Sequence, residues 1–88
     1  MKVYCVSYDL TKPDRNYEEL YEKLKAYGTY SHALESTWFI EAEDGAAEVR
    51  DNLKEVLDTD DKLLVIEVIA NHWASYNLRT KTNEWLKH

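Results

Sequence analysis

The sequence predicts an α+β domain, in which two helices pack on one face of a single four-stranded antiparallel sheet. Residues 2–9 and 62–69 are apolar at nearly every position, which is typical of strands covered on both faces. Two segments between these strands repeat apolar residues every three or four positions, which is typical of amphipathic helices. Two further strands are expected between the helices. The resulting order, β-α-β-β-α-β, predicts a ferredoxin-like architecture.

The first helix is expected between Asn16 and Gly28. Asn16 can cap the start of this helix, Glu19 can complete a capping box, and Gly28 is suited to end it. The second helix is expected to begin at Asp44. Its apolar side is formed by Ala46, Val49, Leu53, Val56 and Leu57.

Residues 30–34 and 36–42 are rich in aromatic and β-branched side chains, and we interpret them as the second and third strands. A very tight turn or a bulge is expected to join them near Glu35 and Ser36. Since neither Gly nor Asn stands at this turn, both geometries remain open.

The last segment, residues 71–88, is an aromatic tail in which Thr80 is expected to cap a short helix that contains Trp85 and Leu86. We expect residues 1–70 to form the ferredoxin-like domain and the tail to belong to the same domain. The tryptophans of the tail are expected to pack on the sheet, because few cations accompany them for stacking on nucleic-acid bases.

Composition limits the classes of function. A chain of 88 residues is short enough to form one domain. Its net charge of -6 disfavours nonspecific binding to nucleic acid, and we interpret the acidic run at residues 58–61 as a solvated turn. The single cysteine, Cys5, cannot form an intrachain disulfide or a cysteine-ligated zinc site. With no long apolar run or signal-peptide pattern, the sequence favours a soluble cytoplasmic protein without a membrane partner.

The face of the sheet opposite the helices is also predicted to be apolar. In the last strand, Leu64 and Ile66 point one way, while Leu63 and Val65 point the other way. Because two helices cover only one face, either the aromatic tail or a second copy of the chain must cover the other. Symmetric dimers are common among soluble proteins, and we therefore expect a homodimer.

Several short segments together carry a resemblance to a known family. Tyr8 and Asp9 end the first strand, Tyr27 and Gly28 end the first helix, and residues 36–39 read Ser-Thr-Trp-Phe. With the final aliphatic strand, they resemble the compact ferredoxin-fold subunit of the CRISPR spacer-integration complex and its virulence-associated D relatives. The resemblance covers about residues 2–69. The chain looks closest to the short SinR-type members of this family, which have no assigned role.

The resemblance implies a catalytic acid at the end of the first strand, which is Asp9 in this sequence, and a Mg²⁺ ion bound to it. It further implies a two-fold dimer that brings two such acids across one groove. A hydrated Mg²⁺ ion there would activate a water and neutralise charge on a scissile phosphate. The side chains expected to contact nucleic acid are Ser7, Lys12, Arg15, Ser36 and Trp38.

Two functions remain open at this point. One is a CRISPR-associated-like dimer that binds or cleaves RNA or DNA with a divalent metal at a groove of the dimer. The other is a non-catalytic dimeric binding or scaffolding protein in prokaryotic or phage defence or counter-defence, which holds a protein partner or a small nucleotide. For Asp9 the alternative is structural, because aspartate commonly accepts backbone N–H bonds at strand ends and turns.

Overall fold

The computed structural model describes residues 1–12, 17–69 and 72–87. Asn16 and Arg15, for which the sequence predicts a helix cap and a nucleic-acid contact, lie outside these residues. The described residues form four strands and three helices: β1 (Lys2–Asp9), α1 (Glu18–Lys25), β2 (Tyr30–Leu34), β3 (Thr37–Ala42), α2 (Ala46–Lys54), β4 (Lys62–Val68) and α3 (Thr80–Lys87).

The four strands form one antiparallel sheet in the order β2-β3-β1-β4. β1 lies inside the sheet and pairs antiparallel with both β3 and β4, while β2 pairs antiparallel with β3. The edges of the sheet are therefore β2 and β4. The prediction of an α+β domain with a four-stranded antiparallel sheet is confirmed.

The main core lies between one face of this sheet and helices α1 and α2. Alternate residues of β1 point into this core, because successive side chains of a strand face opposite sides. Each fully buried aliphatic side chain contributes about 1.5–3 kcal/mol to stability. The core includes Tyr4, Val6, Tyr8, Leu20, Leu24, Trp38, Ile40, Val49 and Leu53. Burial of Val49 and Leu53 confirms the predicted apolar side of α2, whereas Val56 and Leu57 follow the end of the helix and are partly buried.

The turns around α1 and β2 agree closely with the sequence. Gly28 follows α1 with a φ of +90°, which glycine adopts without steric cost, and its N–H donates to the carbonyl of Lys25 over 3.0 Å. Glu35 and Ser36 form the tight turn between β2 and β3. The pairing of β2 with β3 shifts between Ser31 and Leu34, so an irregularity of the bulge type lies inside β2.

Helix α2 begins at Ala46, two residues later than predicted. Gly45 takes the cap position, and its N–H donates to Oε1 of Glu48 over 3.1 Å. Asp44 instead receives a hydrogen bond on its backbone carbonyl from the hydroxyl of Tyr4, at 2.7 Å. The helix therefore starts where Glu48 can reach back to an unpaired backbone donor.

The C-terminal tail packs on part of the second face of the sheet. Helix α3 lies against β2, where the hydroxyls of Thr82 and Ser31 share a hydrogen bond of 2.9 Å. The ring of Trp85 lies 6.1 Å from that of Phe39 in β3, measured between centroids. The predicted terminal helix is confirmed, although Thr80 is its first residue and not the residue before it. Within the described ranges, no helix is long and apolar enough to cross a membrane.

Candidate functional site

Asp9 is the last residue of β1 and is exposed. It stands directly opposite Lys62, the first residue of β4, and Ser7 stands opposite Leu64. These four residues line a shallow cavity of about 200 Å³ at this end of the sheet. Ser7 and Asp9 alternate with the buried Tyr8, so they face away from α1 and α2. The cavity thus opens on the second face of the sheet.

The donor atoms at this cavity limit what metal it can bind. In the part of the chain that the structure describes, no group of three or more His, Cys, Asp and Glu side chains could hold a metal ion. Mg²⁺ is often bound through one or two carboxylates, with waters and substrate phosphates completing its octahedral shell. Asp9 with the hydroxyl of Ser7 fits that arrangement, but one copy does not provide a complete protein cage for an ion.

The loop after β1 is tied to the loop before β4 by the carboxylate of Asp61. Both the N–H and the hydroxyl of Thr11 donate to Oδ1 of Asp61, over 2.9 and 3.1 Å. The hydroxyl of Tyr17 donates to the same oxygen over 3.1 Å, and the N–H of Asp58 donates to Oδ2 over 2.9 Å. One carboxylate therefore joins three segments of the chain.

These hydrogen bonds also set the acidity of Asp61. Desolvation is the largest single effect and raises its pKa, but the bonds from Thr11, Asp58 and Tyr17 together outweigh it and lower the pKa. The residue follows Asp60 and precedes Lys62, so it helps to hold the end of β4 beside Asp9. The interpretation of residues 58–61 as merely a solvated turn missed this role, because Thr11 lies 50 positions away in the sequence.

The charge of Lys12 is balanced by a neighbour. Its Nζ lies 3.3 Å from Oδ2 of Asp58, and both side chains remain partly exposed. Exposed ion pairs of this kind contribute little stability and are screened by salt. Lys12 can therefore still reach a phosphate, but it must compete with Asp58 to do so.

Ser36 lies near the end of β1, although it does not line the cavity at Asp9. Its carbonyl accepts the N–H of Tyr8 over 3.1 Å, and its side chain is exposed. The turn between β2 and β3 is thus fixed beside the residue that precedes Asp9. Ser36 and Asp9 belong to the same end of the sheet.

Trp38 does not border an open cleft, and here the expectation is corrected. Only 2% of its surface is exposed, and its ring stacks on that of His32 at 4.2 Å between centroids. Trp38 stands opposite Val6, which faces the helices, and the indole therefore lies in the main core. No base could stack on Trp38 in this fold.

Tyr8 holds the indole of Trp38 in place. The N–H of Trp38 donates to the hydroxyl oxygen of Tyr8 over 3.1 Å, and that hydroxyl donates to the carbonyl of Glu35 over 3.2 Å. Burial raises the pKa of Tyr8 to about 12, although the bond from Trp38 acts in the opposite direction. At neutral pH the phenol stays protonated, so its role is to organise this end of the sheet.

Neither a protein-family model nor a solved structure matches the chain.

Proposed function

We propose that the protein is a CRISPR-associated-like homodimer of ferredoxin-like domains that binds RNA or DNA in a groove around Asp9 and cleaves it with Mg²⁺. The ferredoxin-like assignment is supported by the strand order and by the two helices that pack on one face. One observation carries the functional proposal: Asp9, Ser7 and Lys62 share a cavity with Leu64, which belongs to an exposed apolar surface.

The dimer is proposed from that surface, which we call the β4 patch and define as Cys5, Leu64 and Ile66. Leu64 and Ile66 are 55% and 51% exposed, and Ile66 stands opposite the half-buried Cys5 on the same face. The tail packs against β2 and β3 and leaves this part of the face open. Exposed apolar patches often mark protein interfaces, and a two-fold contact pairs a patch with itself. A second copy seated there would close over the cavity at Asp9.

In such a dimer, the two Asp9 carboxylates would hold the metal ion. Bound there, Mg²⁺ would lower the pKa of a coordinated water and neutralise charge on the phosphate. Lys62 stands opposite Asp9 in the sheet and lines the same cavity, and its ammonium group can bind a phosphate oxygen. Ser7 can donate a hydrogen bond to the same group. In this arrangement, Asp9 would bind the metal ion and Lys62 would bind the anionic substrate.

The proposal is tested by incubating the purified protein with single- and double-stranded RNA and DNA, in Mg²⁺ or in chelator. We expect the wild type to cleave in Mg²⁺ but not in chelator. We expect the Asp9→Asn variant to lose this cleavage. Asp60→Asn is the matched control, because Asp60 is an exposed aspartate that does not line this cavity. Equal cleavage by wild type and Asp9→Asn would contradict a catalytic role for Asp9.

A second candidate is a non-catalytic dimeric binding or scaffolding protein in prokaryotic or phage defence or counter-defence. It would hold a protein partner or a small nucleotide. Among the described residues, Asp9 is the one carboxylate that lines the cavity, and Lys62 stands opposite it, which favours charge balance over metal binding. In this case Asp9→Asn would change neither binding nor oligomeric state.

For both candidates we propose a cytoplasmic location, because the free thiol of Cys5 suits a reducing compartment.

A further inference from the structure

A larger cavity lies at the opposite edge of the sheet, between β2 and the start of α3. Its volume is about 450 Å³, which falls within the range of about 300–1,000 Å³ that is usual for small-molecule sites. It lies apart from the cavity at Asp9, which is lined by β1 and β4, because β3 separates β2 from both of these strands. We call it the β2-edge pocket and define it by Tyr30, Ser31, Arg79, Lys81, Thr82 and Trp85.

The charges of this pocket are opposite to those of the whole protein. Arg79 and Lys81 line it and are exposed, whereas the chain carries a net charge of -6. Across residues 1–12, 17–69 and 72–87, neither cation forms an ion pair, and no acidic side chain lines the pocket. Two cations that line one pocket and have no ion-pair partner among the described residues favour an anion. The planar guanidinium of arginine suits phosphate in particular, because it donates two parallel hydrogen bonds.

An aromatic wall stands beside these cations. Tyr30 remains 40% exposed, and its ring lies 5.7 Å from the buried ring of Trp38, which limits its motion. A partly exposed, fixed ring is a suitable surface for a nucleic-acid base, since every base can stack through its π-face. The pocket therefore places an aromatic surface next to a phosphate-binding pair.

One further lining group, the hydroxyl of Ser31, has unused hydrogen-bonding capacity. Ser31 is partly exposed and shares one hydrogen bond of 2.9 Å with the buried Thr82, yet a hydroxyl can donate once and accept twice. The indole N–H of Trp85 has no acceptor among the described residues, but it is buried and therefore does not contribute to ligand binding. A ligand that carries hydroxyl oxygens could bond to Ser31.

We propose that the β2-edge pocket binds a nucleoside phosphate, with the phosphate on Arg79 and Lys81 and the base against Tyr30. The ribose hydroxyls would then reach Ser31. Simple anions would use the cations but not the ring, and a neutral aromatic ligand would use the ring but not the cations. Only a ligand with both parts uses the whole pocket. This inference does not depend on the groove at Asp9.

The test is titration calorimetry combined with amide NMR shift mapping of the full chain, in chelator and at low salt. The probes are the four nucleoside 5′-monophosphates, inorganic phosphate, adenosine and a 5′-phosphorylated dinucleotide. We expect the monophosphates to bind at least about tenfold more tightly than phosphate or adenosine, with shifts confined to β2 and α3. If the dinucleotide binds more tightly than the monophosphates, the ligand is a nucleic-acid single strand. If the two bind equally, the ligand is the free nucleotide.

Substitutions locate the site. Arg79→Ala combined with Lys81→Ala should weaken nucleotide binding at least about tenfold, because each removes a charge-assisted hydrogen bond. Lys87→Ala is the matched control, since Lys87 is an exposed cation of the same helix outside the pocket. Tyr30→Leu should weaken nucleotide binding but leave phosphate binding unchanged. Tyr76→Leu controls for loss of an exposed aromatic ring.

Three results would overturn the inference: no nucleotide binding, unchanged affinity after loss of both cations, or shifts that map to Asp9 in place of β2 and α3. Failure of the Asp9 proposal and failure of this one are therefore distinguishable, because one is measured as cleavage in Mg²⁺ and the other as binding in chelator.

Discussion

Trp38 donates its indole N–H to the hydroxyl of Tyr8 over 3.1 Å inside the core. That hydroxyl donates in turn to the carbonyl of Glu35 in the turn between β2 and β3, at 3.2 Å. One oxygen atom thus links β1, β3 and the turn that joins β2 to β3. Because Tyr8 directly precedes Asp9, this link also fixes the end of the strand at the candidate site.

The first prediction concerns the removal of this oxygen. In Tyr8→Phe, the buried N–H of Trp38 loses its acceptor, and an unsatisfied buried group costs about 1–3 kcal/mol. We expect the free energy of unfolding, measured with urea, to fall by about that amount. Tyr76→Phe changes the same chemical group on an exposed ring and should have no measurable effect. A Tyr8→Phe variant as stable as the wild type would show that the bond contributes no net stability.

The second prediction is a loss of stability at high pH. Burial raises the pKa of Tyr8 from 10.0 to about 12, against the opposing effect of the Trp38 bond, so the unfolded chain releases this proton first. The contribution of the protonated Tyr8 to the free energy of unfolding is fully present below pH 10, and it is lost as the pH rises from 10 to about 12. The loss amounts to about 2–3 kcal/mol. Wild type should lose stability more steeply than Tyr8→Phe over this interval, and parallel curves would contradict the prediction.

The third prediction concerns Asp61. In Asp61→Asn, one of the two side-chain acceptors becomes an NH₂ donor, so the bonds from Thr11 and Asp58 can no longer both form. We expect a loss of about 1 kcal/mol at pH 7, measured by urea unfolding. Asp60→Asn, which alters an exposed neighbour, should leave stability unchanged.

Asp61 also predicts an effect of acid. Desolvation raises its pKa, but the hydrogen bonds prevail, and the folded pKa lies below the unfolded value of 3.8. Its contribution to stability is therefore present above pH 3.8 and is lost as the pH falls through the folded pKa. The difference in stability between wild type and Asp61→Asn should shrink below that pH. A constant difference down to full protonation would exclude this linkage.

The sequence predicts much of this fold because local patterns determine it. The largely apolar run of residues 2–9 predicts the bounds of β1, and the apolar repeat every three or four positions predicts the amphipathic helix α1, whose buried side includes Leu20 and Leu24. The start of α2 was misplaced because the choice between Asp44 and Gly45 depends on where Glu48 folds back. These two cap positions are adjacent, and the sequence pattern of the helix does not distinguish between them.

The candidate site was harder to predict because it depends on pairings between distant segments. A shift of one residue in the pairing of β3 would turn Trp38 from the core to the opposite face. The sequence pattern does not fix that register, and Trp38 was therefore expected at a cleft that it does not reach. Asp61 accepts a hydrogen bond from Thr11, and Tyr30 and Arg79 line the same pocket. The residues of each pair are about 50 positions apart, so neither arrangement appears as a short motif in the sequence.

The last prediction tests the dimer through the β4 patch. Ile66 is half exposed on the edge strand, and burial of a charge against a second copy would be strongly unfavourable. We expect the wild type to be a dimer at micromolar concentration by light scattering, and Ile66→Glu to be a monomer of unchanged circular dichroism. Ala47→Glu, at an exposed position of α2, is the matched control and should remain dimeric. A wild type that stays monomeric would remove the second Asp9 from the groove, and metal binding would then rest on a single carboxylate.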